Sequence, residues 1–258
     1  MDIESFFDIV DQALSGDVSS QYKLGKCFHY GDVVNIDYTQ AIKWYSKAVE
    51  QGNKEAQNDI AFLYWNGEGV EKDIEKAIAL FTKAAEQGEV SALINLGLSY
   101  EFGDGVEKDI EKATCLYAKA VDLGSSEALF RLAMCYKEAG RNEEKAHDLI
   151  LKAANQGYPK AQIDLALYYE LRVCRRENGR ELEGIAYDAG TTEDDIERAI
   201  YWWTKAALQG ESDAQYYLGK HYRDGDGINR DVKKAIYWFK KAAEQGHEDA
   251  KEALSVLI

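Results

Sequence analysis

The chain has 258 residues, 46% of them apolar, which is enough to bury a substantial core in one large domain or two ordinary ones. Its 46 acidic and 31 basic side chains give a formal net charge of −15. Such a surface repels phosphate backbones and anionic lipids, so neither nucleic acid nor membrane insertion is expected. The surplus of carboxylates suits a basic partner, and it is equally compatible with a solvated surface that has no partner.

Several features favour a cytoplasmic protein without a cofactor. The first residues, Met1 to Glu4, carry neither the positive nor the apolar segment of a secretory signal. No run of about 18 apolar residues is present that could cross a bilayer. The four cysteines are far apart and form no CxxC pair, which is typical of reduced thiols rather than of a disulfide framework or a zinc site.

A Gly-x-x-x-Ala marker recurs along the chain and defines an internal repeat. Successive marker glycines are separated by 36, 36, 36, 33, 53 and 36 residues. Spacing this regular indicates a repeat architecture. The glycines are Gly16, which is followed by Ser20 instead of Ala, and then Gly52, Gly88, Gly124, Gly157, Gly210 and Gly246.

The repeats predict about 14 helices in a single continuous domain. Residues 2–15 align with the second helix of a repeat and should cap the N-terminal end. Residues 250–258 begin a further helix that should cap the other end. Between them lie six repeats, at about 20–55, 56–91, 92–127, 128–160, 161–213 and 214–249.

Each repeat predicts a first helix, helix A, whose core face is marked at intervals of four residues. In the third copy Ala92 is followed by Leu96 and Tyr100, which share one helical face. The small residue Gly97 beside them lets a neighbouring helix approach closely.

A glycine turn and a second helix, helix B, complete the repeat. The turn of the third copy is Gly103-Asp104-Gly105-Val106, whose glycines supply left-handed backbone angles. Asp109 then opens helix B as a cap, and an aromatic or aliphatic residue such as Leu116 follows on it. Gly124 closes the helix.

These residues resemble the Sel1-like repeat, a relative of the tetratricopeptide repeat, with the pattern A-x-x-x-L-G-x-x-Y-x-x-G-x-G-V-x-x-D-x-x-K-A-x-x-W-x-x-K-A-A-x-x-G. The resemblance covers roughly residues 20 to 258. It implies an all-α fold, an α/α superhelix or solenoid of about six helix-turn-helix repeats with capping helices at both ends. It also implies a bacterial, non-enzymatic scaffold or adaptor of the class that serves signalling, secretion and protein quality control.

The fifth copy departs from this pattern by 17 extra residues, inserted near 172–192. Its helix A is expected to run on past Leu171. Thr192 with Asp195 is expected to form a capping box that restarts helix B. The arginines of the insertion, a secondary candidate site, form either a basic edge that grips carboxylates or part of a solvated loop. They are Arg172, Arg175, Arg176 and Arg180.

The main candidate site lies on the side of helix A that lines the concave groove in tetratricopeptide-like folds. With the marker Ala as position 1, positions 3, 7, 10 and 11 lie on that side, and apolar residues hold 13 of the 24 places. Either these positions form a groove for an extended peptide or a partner helix, or positions 3 and 7 are buried between successive A helices. Positions 10 and 11, especially Trp65 and Phe102, are expected to be exposed. The candidate partner-binding residues are Tyr22, Lys26, Tyr30, Phe62, Trp65, Leu98, Phe102, Phe130, Met134, Leu167, Leu171, Tyr216, Lys220 and Arg223.

Nothing in the sequence carries an enzyme's signature, so no catalytic, cofactor-binding or metal-binding residue is expected. The four histidines fall at unrelated repeat positions without an HExxH motif, and the Gly-x-Gly turns lack the lysine of a phosphate-binding loop. The predicted function is to bind a partner protein or peptide. The alternatives are an immunity protein that neutralises a toxic effector and an enzyme of unrecognised type.

Overall fold

The computed structural model describes residues 3–140, 142–177 and 191–257. These residues form 14 α-helices and no strand, so the predicted all-α repeat fold is confirmed. The helices are α1 (Ile3–Leu14), α2 (Val18–Tyr30), α3 (Tyr38–Glu50), α4 (Lys54–Asn66), α5 (Ile74–Glu86), α6 (Val90–Phe102), α7 (Ile110–Asp122), α8 (Ser126–Glu138), α9 (Glu143–Asn155), α10 (Pro159–Glu177), α11 (Thr192–Leu208), α12 (Ser212–Asp224), α13 (Val232–Glu244) and α14 (Glu248–Leu257).

The helices belong to two compact units, Met1–Ser125 and Ser126–Ile258, called unit 1 and unit 2 below. Unit 1 holds α1 to α7 and unit 2 holds α8 to α14. Within each unit every helix packs against the next one along the chain. The prediction of one continuous domain over the whole chain stays a prediction.

Aspartate caps begin four of the B helices, as predicted; they are Asp37, Asp73, Asp109 and Asp231. The Asp109 carboxylate accepts a 2.9 Å hydrogen bond from the backbone N–H of Lys112, which satisfies an amide that has no partner inside the helix. The predicted capping box of α11 is wrong by one residue. Thr191 and Asp194 form it instead, because the side chain of Asp195 is turned into the core.

An aromatic ring of helix B packs directly on the small residue of helix A. A Cβ atom at Gly97 would lie 2.5 Å from Cε1 of Tyr117, so only glycine admits the ring at this distance. Tyr117 is fully buried, whereas the preceding Leu116, which the sequence pattern marks, is only half-buried. The same offset places the buried rings Tyr45, Phe81, Trp203 and Phe239.

Paired glutamines tie the start of each of several A helices to the end of the B helix in the same repeat. Gln87 donates a 2.8 Å hydrogen bond to the side-chain oxygen of Gln57, and Gln245 donates one of 2.9 Å to Gln215. These bonds fix the two ends of the helix pair together, so they help to set the direction in which the free face of helix A points.

The longest helix, α10, runs from Pro159 to Glu177, past Leu171 as expected. Helix α11 follows from Thr192. The residues between them, 178–190, lie outside the described part of the chain.

Candidate partner-binding site

Unit 1 contains an apolar cleft of about 260 Å³, built by α4, α5, α6 and the turn after α6. Four of the predicted binding residues line it together: Phe62, Trp65, Leu98 and Phe102. The others are Phe81, Asn95, Ser99 and Asp104. Phe81 is not among the predicted binding residues, because its side chain comes from helix B and reaches the cleft through the core.

The rings that line the cleft differ in exposure. Phe62 is 44% exposed and Phe102 is 60% exposed, so both present a large apolar surface. Trp65 is half-buried and leans on Phe81, with 6.3 Å between the ring centroids. The floor of the cleft is therefore fixed by packing, while its edges are open.

Positions 3 and 7 of helix A differ in burial: none of the position 3 residues is exposed, and none of the position 7 residues is buried. Asn58 and Ile94, both at position 3, are buried, whereas Lys26, Phe62 and Leu167 at position 7 are exposed. Helical periodicity places positions 3 and 7 on the same side of helix A, but the side chains at position 3 face the neighbouring helix more directly.

The expected exposure of position 11 is confirmed in all six repeats, whereas at position 10 only Lys137 is exposed. The expected exposure of Trp65 is wrong, because its side chain is half-buried. His29 and Glu101 at position 10 are buried. Each is bound to the ring of its own helix B, since His29 Nδ1 lies 3.1 Å from the Tyr45 hydroxyl and Tyr117 donates to Glu101. Position 10 is therefore buried where its side chain is hydrogen-bonded to helix B of the same repeat.

The polar groups of the cleft bind one another. The Asn95 amide donates a 3.0 Å hydrogen bond to Asn58, and the Asn58 amide donates a 3.1 Å hydrogen bond to Asp59. Ser99 Oγ donates to the backbone carbonyl of Asn95 at 2.9 Å. These bonds hold Asn58, Asn95 and Ser99 in place, and the apolar side chains and the exposed Asp104 make up the rest of the cleft lining.

Tyr22, Lys26 and Tyr30 form a polar and aromatic group on α2. The Tyr22 hydroxyl donates a 3.0 Å hydrogen bond to Asp59, and burial together with the Asp59 charge raises the pKa of Tyr22. Lys26 Nζ lies 5.7 Å from the centroid of the Tyr22 ring and 5.8 Å from that of Tyr30. Tyr30 is 61% exposed, so it offers an aromatic contact at the surface.

The candidate residues of unit 2 lie in different places. Phe130 packs on Tyr158 at 5.5 Å, Met134 is half-buried, and Leu167 and Leu171 are exposed. Lys220 lines a cleft of about 190 Å³. Tyr216 and Arg223 line another cleft.

The expectation that Arg172 lies on an exposed basic edge is wrong. Its side chain is fully buried, and its Nε donates a 3.1 Å hydrogen bond to the buried carboxylate of Asp195. The long helix α10 carries Arg172 into the core, where a charge must be paired. Arg175 is half-buried, and the side chains of Arg176 and Arg180 lie outside the described residues.

A histidine–carboxylate pair lines the cleft of unit 2 that contains Lys220. His221 Nε2 lies 3.1 Å from Glu170, which also accepts a 2.9 Å hydrogen bond from the Trp203 indole. His221 Nδ1 lies 3.0 Å from the carbonyl of Asp226. Burial alone would lower the pKa of His221, but the hydrogen bonds and the charges of Glu170 and Asp226 raise it.

Two general properties of the described residues bear on function. Among them, no cluster of three or more His, Cys, Asp or Glu is arranged to hold a metal ion. None of the described helices combines the length and the hydrophobicity that crossing a lipid bilayer requires.

A family model of the Sel1 repeat matches the sequence six times, at residues 18–53, 54–89, 90–125, 126–158, 183–211 and 212–247. No curated protein sequence matches the chain. One similar solved structure is a protective antigen present in uropathogenic Escherichia coli strains, which displays an SLR fold. It is 30% identical with a TM-score of 0.57, and the match covers 97% of this chain but only 58% of that one.

Two further structures are similar along most of both chains. A Sel1 repeat protein from Oxalobacter formigenes is 26% identical with a TM-score of 0.69, and the match covers 88% of this chain and 85% of that one. An immunity protein from Pseudomonas aeruginosa is 23% identical with a TM-score of 0.58, over 88% of this chain and 81% of that one. Since the family model accounts for most of the sequence, the chain belongs to the Sel1 repeat family.

Proposed function

We propose that this chain is a non-enzymatic scaffold or adaptor that holds a partner protein or peptide on the apolar cleft of unit 1. Sel1 repeat proteins are protein-interaction scaffolds and are typically non-enzymatic. The observation that supports the cleft as the contact is the meeting of Phe62, Leu98 and Phe102, with both phenylalanine rings exposed. Exposed apolar groups that cluster in this way mark interaction sites.

The size of the cleft favours a protein partner over a small ligand. Its volume is about 260 Å³. Pockets for drug-sized molecules usually have volumes of about 300–1,000 Å³ and enclose most of the ligand. A shallow aromatic cleft suits one or two anchoring side chains of another protein, since such anchors carry most of the energy of an interface.

The test is affinity capture from the native cell, followed by mass spectrometry and reconstitution with the purified partner. Phe62→Asp or Phe102→Asp should weaken binding at least about tenfold, because a carboxylate would replace an apolar contact. Phe7→Asp is the matched control, since Phe7 is 61% exposed and Phe102 is 60% exposed, while Phe7 lies on α1 away from the cleft lining. Helical content should stay native in all three variants.

Equal binding of the partner by the native chain, Phe62→Asp and Phe102→Asp would contradict the use of this cleft. A partner that is chemically transformed by the chain would contradict the non-enzymatic assignment.

Inhibition of a toxic effector is a second candidate function. The observation that favours it is the similar fold of an immunity protein from Pseudomonas aeruginosa, at a level of identity that concerns the fold alone. If the chain is an immunity protein, co-expression should restore growth to cells that produce the toxin encoded beside it. Continued killing, with both proteins present and soluble, would exclude this candidate.

A further inference from the structure

We infer that the apolar cleft of unit 1 takes an amphipathic helix of a partner protein, one that carries an apolar anchor flanked by lysine or arginine. The inference, which depends on the proposed function, goes beyond it by specifying the conformation and the charge of the bound segment. Three observations support it: the negative charge of unit 1, the hydrogen bonds that the polar groups of the cleft already make, and the charge repulsion between copies of the chain.

Unit 1, which contains this cleft, carries most of the net charge of the chain. Residues 1–125 contain 22 Asp and Glu against 11 Lys and no Arg, a net charge of −11, whereas the remaining residues carry −4. Two carboxylates lie close in sequence to the exposed rings of Phe62 and Phe102. Asp59 precedes Phe62 by one helical turn, and the exposed Asp104 lines the cleft two residues after Phe102. A basic segment would be attracted to this unit and an acidic one repelled.

The polar groups in the cleft favour a helical segment over an extended one. An extended peptide brings backbone N–H and C=O groups that need partners on the surface it covers. Here the Asn95 amide and Ser99 Oγ already donate to other groups of the protein, and the Asn58 amide donates to Asp59. The backbone groups of a helix are hydrogen-bonded within the helix, so only its side chains need partners on the protein. A helical segment therefore leaves fewer hydrogen-bonding groups without a partner on this surface than an extended segment does.

A second copy of this chain is the competing occupant. The outer face of α13 carries Tyr237, which is 53% exposed, and the exposed lysines Lys233, Lys234, Lys240 and Lys241. Contact between α13 of one copy and the cleft of another would either be reciprocal and close a dimer, or be head-to-tail and continue into rings or filaments. Each copy carries a net charge of −15, which opposes association of copies in either form and favours a separate basic partner.

The test uses the whole 258-residue chain and two synthetic amphipathic peptides of equal length. Both carry leucine or tryptophan at positions i, i+3, i+4 and i+7. One has lysine beside these anchors and the other has glutamate. Fluorescence anisotropy measures affinity, and far-ultraviolet circular dichroism measures the helix gained on binding. We expect the lysine peptide to bind and to become helical, and the glutamate peptide to bind at least about tenfold more weakly.

Charge reversal in the protein supplies the matched comparison. Asp104→Lys should weaken binding of the lysine peptide about tenfold, and the difference in affinity between the two peptides should become smaller. Asp122→Lys makes the same change of net charge at an exposed residue of α7 outside the cleft lining, and its effect should stay below about threefold. Phe102→Asp should abolish binding of the lysine peptide.

Three results would overturn the inference: equal affinity for both peptides, binding without a gain of helix, or binding that Phe102→Asp leaves intact. Self-association that Tyr237→Asp abolishes, and that excludes the lysine peptide, would also overturn it by identifying a second copy as the occupant. A natural partner that needs Phe62 and Phe102 but binds through an extended or acidic segment would leave the proposed function standing and remove this inference alone.

Discussion

The hydroxyl of Tyr117 donates a 2.5 Å hydrogen bond to the carboxylate of Glu101, and both side chains are buried. The pair joins helix A to helix B at a position where other repeats place His29 against Tyr45 and Trp65 against Phe81. In these three repeats the ring of helix B matches the residue at position 10 of helix A. The hydroxyls of Tyr45 and Tyr117 bind polar side chains, and the phenyl ring of Phe81 packs against the indole that forms part of the cleft.

Removing the hydroxyl of Tyr117 should destabilise unit 1. Tyr117→Phe deletes a donor to a buried carboxylate, which should lower the free energy of unfolding by about 1–3 kcal/mol. Urea unfolding followed by circular dichroism measures the loss. Tyr237→Phe makes the same change on an exposed ring and should cost less than about 0.5 kcal/mol. Equal stability of the two variants would contradict a stabilising role for the Tyr117–Glu101 bond.

Local rules predict the helices of this chain well because each repeat has its own start and stop signals. Asp109 caps α7 as expected, and Gly103 ends α6 with a left-handed φ of 81°. The rules do not decide which residue of helix B packs against helix A. Leu116 fits the family pattern, but Tyr117 fills the space above Gly97, and only the packed pair reveals which of the two neighbours faces inward.

The cleft could be predicted in part, because Phe62, Leu98 and Phe102 follow from the helical face that they share. Their meeting with Phe81 could not be predicted, since it depends on the angle at which helix B packs. Arg172 shows the opposite failure. A cluster of arginines in an insertion resembles a solvated edge, yet the longer α10 turns one of them into the core.

Breaking the buried pair of Arg172 and Asp195 should destabilise unit 2 strongly. Their side chains are fully buried, with Nε and Oδ2 3.1 Å apart. Asp195→Ala would remove the carboxylate that pairs with this buried guanidinium, at a cost of about 3–5 kcal/mol. Thermal and urea unfolding would measure it.

An exposed ion pair provides the control. Arg223 and Asp224 are bound at 2.7 Å but are partly exposed, so Asp224→Ala should cost less than about 1 kcal/mol. The double variant Arg172→Met with Asp195→Leu should be more stable than Asp195→Ala, because it removes both charges of the pair. If the double variant were less stable than Asp195→Ala, Arg172 and Asp195 would stabilise unit 2 by more than neutralising each other's charge.

The pair of His221 and Glu170 should make unit 2 depend on pH. Both ring nitrogens of His221 face acceptors, the Glu170 carboxylate at 3.1 Å and the Asp226 carbonyl at 3.0 Å. Two acceptors are satisfied only when both nitrogens carry a proton, so the folded state favours the charged imidazolium. Lys220, Asp224 and Cys174 line the same cleft. The charges of Glu170 and Asp226 raise the pKa of His221 despite its burial.

Since the folded pKa of His221 lies above the unfolded value of about 6.5, its contribution is complete below that value and is lost as pH rises through the folded pKa. His221→Gln should therefore cost more stability at about pH 5.5 than at about pH 8.5. His29 provides the opposite sign, because burial lowers its pKa and its contribution is lost as pH falls. His29→Gln should accordingly cost less at the lower pH than at the higher one. Urea unfolding of both variants between about pH 5.5 and about pH 8.5 tests these two expectations. If the loss of stability changed with pH in the same direction in both variants, His221 would not be held in its charged form.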